Sequence, residues 1–211
     1  MNYFGIKNSY AKKVLLERGR FRMVKRDTSE LAYDCRRHVD LVEKLEKFKS
    51  LGVLEIQKLE GLNGTLYAKV NKFYGDKTTE QVLYKMKEVM RLYEKVKNGE
   101  DKTPIAVTSS GARLDGSHRA GMLKSMNVRE ADAKEIYGPR VFVWLVGREA
   151  ARKRVFYDKY SGRAAYAKGK RLGTVLYTDF VRWDPFSIIG RCYHVLDTGD
   201  IVDVRRCYLE K

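Results

Sequence analysis

The chain has 211 residues, 44% of them hydrophobic, and carries 43 Lys and Arg against 27 Asp and Glu, a formal net charge of +16 with a pI near 9.7. That length allows a buried core in one domain with additions or in two small ones. No apolar run approaches the roughly 20 residues of a membrane span, and Met1-Asn2-Tyr3-Phe4-Gly5-Ile6-Lys7 lacks the apolar stretch of a signal peptide, so the expectation is a cytoplasmic protein whose positive charge attracts nucleic acid, nucleotide, anionic glycan or lipid headgroup.

Residues 1 to about 60 read as mainly helical. Asp27-Thr28-Ser29-Glu30 has capping-box form, and Leu31, Cys35, Val42, Leu45 and Phe48 set out a rough apolar face before Gly52. Gly61-Leu62-Asn63-Gly64 then reads as the turn of a hairpin between Val53-Leu54-Glu55-Ile56 and Thr65-Leu66-Tyr67-Ala68-Lys69-Val70. Residues 78–97 carry the strongest helical period, through Val82, Met86, Val89, Met90, Tyr93 and Val96, with Asn98-Gly99 as the stop; Met86 and Met90 are expected in the core.

Pro104-Ile105-Ala106-Val107 predicts a strand, Ser109-Ser110-Gly111 a turn, Ala112-Arg113-Leu114 a short strand, and the run ending near Met126 a helix. Farther on, residues 141–146 read as a strand and 147–159 as a helix. Residues 172–182 and 188–208 look β-rich, with a bend at Trp183-Asp184-Pro185 and a turn at Asp197-Thr198-Gly199-Asp200. Cys35, Cys192 and Cys207 are widely spaced, and His38, His118 and His194 form no H-x-x-x-H pair. This spacing gives neither a disulfide framework nor a zinc signature.

The most informative stretch is Leu114-Asp115-Gly116-Ser117-His118-Arg119-Ala120. It stands where a strand gives way to a helix, and there backbone N–H groups and the helix dipole favour an anion. Asp115 is suited to cap the helix and Gly116 lets a ligand approach the backbone. Ser117, His118 and Arg119 place a hydroxyl, an imidazole and a guanidinium on the first turn. The phosphate-binding candidates are therefore Gly116, Ser117, His118 and Arg119, with Lys124 neutralising charge; the catalytic candidates are Asp115, His118 and Arg119, either Asp115 or His118 serving as general base. The same residues also fit an Asp-Gly turn followed by an ordinary helix cap.

The ordered combination of amphipathic helix, P-I-x-V strand, hairpin, D-G-S-H-R loop and helix resembles the ParB/sulfiredoxin superfamily. Pro104, Ile105, Val107, Asp115, Gly116, His118, Arg119 and Ala120 carry the match, residues 141–146 stand for the strand that follows, and the resemblance covers roughly residues 78–146. It implies an α/β (α+β) fold with a ParB/sulfiredoxin-like core, a small mixed sheet with flanking helices. In that family the helix N-terminus holds nucleotide phosphates, implying ATP, ADP or CTP together with Mg²⁺, for which Asp115 is the candidate metal ligand. The superfamily includes CTP-binding partitioning proteins, sulfiredoxins, free-serine kinases, and plasmid or phage ATPases and nucleases. Ser117 replaces the cysteine of sulfiredoxins, which argues against sulfinic acid repair. A second loop arginine, a helix-turn-helix and the serine kinases' glutamate have no clear counterpart.

This organisation divides the chain into a helical segment (1–60), a nucleotide-phosphate core (61–146) and a basic, aromatic, β-rich extension (147–211). Between residues 140 and 191 there are twelve basic and four acidic residues. About half of the excess charge lies there. Arg152, Lys153, Arg154, Lys168, Lys170 and Arg171 interleave with Phe156, Tyr157, Tyr160, Tyr166 and Tyr177, a pattern suited to an anionic acceptor or to nucleic acid, and also to a solvated face over a small core. Three functions fit: a phosphotransferase or nucleotide hydrolase, a nuclease or other nucleic-acid-binding protein, and a non-catalytic module switched by nucleotide.

Overall fold

A computed structural model describes residues 8–73, 78–182 and 191–210. The Trp183-Asp184-Pro185 bend lies outside the described residues.

Strand β2 (Ile105–Thr108) is buried at every position, and it lies parallel to β3 (Glu130–Tyr137), with Ile105 opposite Ala133 and Thr108 opposite Ile136. A parallel pair needs a crossover, and helix α7 (Ser117–Ser125) provides it. Before that crossover the chain doubles back: Thr108 N–H donates to the Ala112 carbonyl at 2.8 Å and Leu114 N–H to that of Ala106 at 2.7 Å. The expected short strand at 112–114 is thereby reduced to one bridge between Val107 and Arg113.

The sheet is completed from the N-terminal segment. Strand β1 (Arg20–Asp27) runs antiparallel to β3, from Arg20 opposite Tyr137 to Asp27 opposite Glu130, giving the order β1-β3-β2. Residues 1–60 are therefore not purely helical. In Arg20-Phe21-Arg22-Met23-Val24-Lys25-Arg26 basic and apolar residues alternate without a clean apolar stripe. Pairing is fixed instead by Arg22, which donates to the buried Glu135 at 2.9 Å, and by Arg26 on the same carboxylate.

The predicted long helix after Asp27 divides in two. Asp27 caps the short α2 (Thr28–Leu31) by accepting from Ser29 N–H, the chain turns, and α3 (Arg36–Ser50) begins. Its apolar residues serve different cores, because Leu31 and Cys35 pack with Ile105, Val107 and Ala133 of the sheet whereas Val42 and Leu45 join a helical core. Residues 53–70 depart further from expectation. They form helices α4 (Glu55–Leu62) and α5 (Leu66–Phe73), not a hairpin. Asn63 and Gly64 lie in the turn between the helices, and Leu59 and Leu62 of α4, three residues apart on one face, join Tyr67 and Ala68 of α5 in the same core.

Helix α6 (Thr79–Lys97) matches the sequence period closely, with a Thr78/Gln81 capping box and Asn98 as C-cap. Met86 is fully buried and Met90 packs at the core edge. Residues 141–146 are not a strand but the start of α8 (Arg140–Lys159), which follows Pro139. The strand following the D-G-S-H-R helix is instead β3. Phe142, Leu145 and Val146 sit at helical spacing and pack with Ala11 and Leu15 of α1 (Asn8–Arg18) and with Ile136.

The far half of α8 packs on a second, antiparallel sheet. It contains β4 (Ala164–Ala167), β5 (Lys170–Arg182), β6 (Arg191–Leu196), β7 (Ile201–Asp203) and β8 (Tyr208–Leu209), in the order β7-β6-β5-β4-β8. Tyr157 of α8 stacks on Tyr177 of β5 with centroids 4.7 Å apart. The expected β-rich character of the C-terminal third is realised, and the described residues form a mixed α/β structure with sheets of three and five strands. Among the described residues no helix is long and apolar enough to cross a membrane.

Candidate functional site

Gly116 is the N-cap of α7 with φ +90°, a left-handed conformation, and a Cβ there would come within 3.2 Å of Ile105. The left-handed φ favours glycine, and the tight approach to Ile105 adds to that preference. Asp115 does not cap the helix: its Oδ1 accepts from Gly116 N–H at 2.7 Å, tying the loop to itself, and no side chain caps α7. Helical geometry gives the first-turn N–H groups of Ser117, His118 and Arg119 no carbonyl within the helix. This end of α7 opens on a cavity of about 540 Å³, whose wall includes Leu114, Asp115, Ser117 and His118.

Three rings gather beside it. The Tyr67 hydroxyl lies 3.2 Å from Nε2 of His118, and the His38 ring packs edge-on to His118 at a centroid distance of 4.6 Å. His38 reaches this position because α3 approaches α7 closely at Gly121, where a Cβ would lie 2.6 Å from that of His38. His38 is 3% exposed and its Nδ1 is buried without a protein partner. Burial first, then the charges of Arg37, His118 and Arg113, push His38 well below its ordinary pKa; burial, Arg37 and Lys85 lower His118 in the same way. Both imidazoles are thus held neutral at neutral pH. Burial raises Tyr67, so its hydroxyl keeps its proton.

Arg113 braces the loop from the other side. Its guanidinium donates to the Leu31 carbonyl, to Asp34 and, at 3.2 Å, to Ser117 Oγ. Burial pushes the Asp34 carboxyl up, but the charge and hydrogen bond of Arg113 outweigh it and hold the group below the usual range. Cys35 donates its thiol to the Ser117 carbonyl at 3.4 Å, and burial pushes that thiol up to about 12. It is a packing thiol rather than a nucleophile.

The remaining wall is polar. Glu149 of α8 lies 3.7 Å from both Lys12 and Lys153, and burial lowers Lys12 against the raising effect of Glu149. The lining holds five cationic side chains, Lys12, Arg37, Lys85, Arg113 and Lys153, against four carboxylates, Asp34, Asp115, Glu149 and Asp179.

The sequence candidates are dispersed by this geometry. Asp115, Ser117 and His118 line the cavity, but Arg119 turns away to pair with Asp101 at 3.7 Å. Lys124 is exposed in the last turn of α7. Of the basic C-terminal candidates Lys153 lines the cavity; Arg154 lies over the Tyr33 ring at 5.0 Å, Arg152 is half-buried on α8, and Lys168, Lys170 and Arg171 stand on the β4–β5 hairpin. Among the described residues no three His, Cys, Asp or Glu side chains converge as a metal site, so Asp115 has no such companions.

No protein-family model, curated protein or solved structure matches the chain. The functional reading therefore comes from the cavity itself. His38, Tyr67, Arg113 and Lys12 escaped sequence reasoning because they lie tens of residues apart, although Arg113 stands immediately before the loop.

Proposed function

We propose that the protein is a nucleotide-dependent phosphotransferase or nucleotide hydrolase, and that the elements from β2 to α7 constitute a ParB/sulfiredoxin-like phosphate site. The observation that carries this reading is His118, hydrogen-bonded to Tyr67, on the first turn of a helix whose N-terminus faces a polar cavity lined by both cationic and acidic side chains. The N–H groups of that turn hold the terminal phosphates, and Lys12, Lys85 and Lys153 offset their charge. His118 accepts the proton of an attacking hydroxyl or water as the new P–O bond forms and the bond to the bridging oxygen breaks, releasing nucleoside diphosphate. Tyr67 orients the imidazole, and His38 packs against its ring.

Mg²⁺, if bound with the nucleotide, would supply neutralisation of the phosphate oxygens. It would take few protein ligands beyond phosphate and water, and Asp115, exposed at the cavity rim, would be the carboxylate to hold it. Arg119 lies outside this assignment because its side chain is committed to Asp101.

The test is titration of the purified protein with ATP, ADP, CTP and GTP in the presence of Mg²⁺, with phosphate release followed for wild type and His118→Gln. Binding of at least one nucleotide, with turnover reduced about 100-fold or more by His118→Gln, is expected. Failure of all four to bind, or full turnover in the variant, overturns the proposal.

A further inference from the structure

The sequence singled out a basic, aromatic stretch that the cavity uses only through Lys153. Its other cluster, Lys168, Lys170 and Arg171, belongs to a hairpin whose shape is well defined. Lys168 and Gly169 have φ +49° and +76°, the paired left-handed conformation of a tight two-residue turn. Along β4, Ala165 is fully buried and pairs with Leu209 of β8, and both belong to the core beneath the sheet. The next pair, Tyr166 and Tyr208, must then face the opposite side, because strand side chains alternate. On the other flank Tyr166 pairs with Arg171 of β5.

Tyr208, Tyr166 and Arg171 thus form one row across three adjacent strands. The two rings are stacked at 5.5 Å with 12° between their planes, and Tyr208, on the edge strand, is 57% exposed. The Tyr166 hydroxyl donates to Glu210 at 2.8 Å, which fixes its ring. Exposed Lys168 lies in the adjoining turn, Lys170 pairs with Ala167 and points to the other face, and residues 163–171 contain four basic residues and no acidic one.

We propose that this face of the second sheet is a binding platform for single-stranded nucleic acid. An unpaired base stacks on the exposed Tyr208, continuing the ring stack, while Arg171 and the turn residue Lys168 neutralise the phosphates that follow it. Base stacking distinguishes this ligand from duplex DNA, whose bases are already stacked on one another. The platform is independent of the nucleotide cavity, since none of these residues lines it.

The experiment is fluorescence anisotropy of the full chain with labelled 20-mers of oligo(dT) and oligo(rU) and with a duplex of the same length, over a salt series. Single strands should bind more tightly than the duplex, with log K falling linearly against log salt. Tyr208→Ala should weaken single-strand binding about tenfold while Tyr208→Phe retains it, and Lys168→Glu/Arg171→Glu should flatten the salt slope. Ultraviolet cross-linking of wild type, mapped by mass spectrometry, should label Tyr208 or Tyr166, a readout that does not depend on a variant folding. Equal affinity for duplex, no salt-sensitive binding, cross-links elsewhere, or indifference to Tyr208→Ala overturns the platform. Nucleotide turnover should be unchanged in the hairpin variants, so either proposal can fail without the other.

Discussion

The Tyr67 hydroxyl lies 3.2 Å from Nε2 of His118, joining α5 to the first turn of α7. Removing that hydroxyl alone, by Tyr67→Phe, should lower turnover roughly tenfold to 100-fold with nucleotide affinity almost unchanged, since the ring and its packing remain. Steady-state kinetics beside equilibrium titration separates the two effects; a loss confined to affinity would remove Tyr67 from proton transfer.

Arg113 is the brace between the loop and the N-terminal segment, and its side chain and that of Asp34 are only 10% and 15% exposed. Arg113→Ala leaves the Asp34 carboxylate and the Leu31 carbonyl without this donor, so a destabilisation of about 3–5 kcal/mol is expected. Urea denaturation measures it. Arg113→Met combined with Asp34→Asn should recover part of the loss by removing the stranded charge.

Gly121 sets the approach of α3 to α7. Gly121→Ala should cost about 1–3 kcal/mol and separate His38 from His118, because the added methyl would meet the His38 Cβ at 2.6 Å. The stability change appears in denaturation, and the separation in the histidine ring resonances by NMR.

Arg119 gives the contrasting case. Its contact with Asp101 at 3.7 Å lies outside the cavity, so Arg119→Ala should lower the melting temperature but leave nucleotide affinity within about twofold. A tenfold loss in isothermal titration would bring this side chain back to the phosphates.

The buried histidines make stability depend on pH with a definite sign. His38 and His118 are lowered and His194 is pushed down to about 4 by burial, all from an ordinary value of 6.5. Below pH 6.5 the unfolded chain takes up protons that the folded chain refuses. Stability is therefore fully present above that pH and should fall as pH drops towards 4, by about 1.4 kcal/mol per unit for each proton. Urea midpoints at pH 7, 6, 5 and 4 test this; His194→Gln should lessen the slope. Turnover that needs neutral His118 should also persist below pH 6.5 before failing.

Local chemistry was legible wherever a few neighbouring residues decide the outcome. Thr78 and Gln81 reach one another across a single helical turn, and Asn98-Gly99 stops α6 at the predicted place. Gly116 carries its own preference, and three loop candidates do line the cavity. Residues 53–70 and 141–146 differ from the sequence expectation because short apolar runs suit a strand or a buried helix equally until a partner surface chooses. The helical core chose for α4 and α5, and packing with α1 and Ile136 chose for α8.

What the amino-acid order determined by itself was the glycine loop at the start of α7, the strongly periodic helix, the basic excess and the β-rich end. Each depends on period, charge or conformational freedom within a few residues. Only the tertiary structure decided that Arg119 leaves the cavity, that Lys12, Asp34, His38, Tyr67 and Glu149 enter it, and that Tyr208 stacks on Tyr166. Those relationships join side chains separated by tens of residues, and their geometry is set by the approach of helices and strand registers that no local pattern encodes.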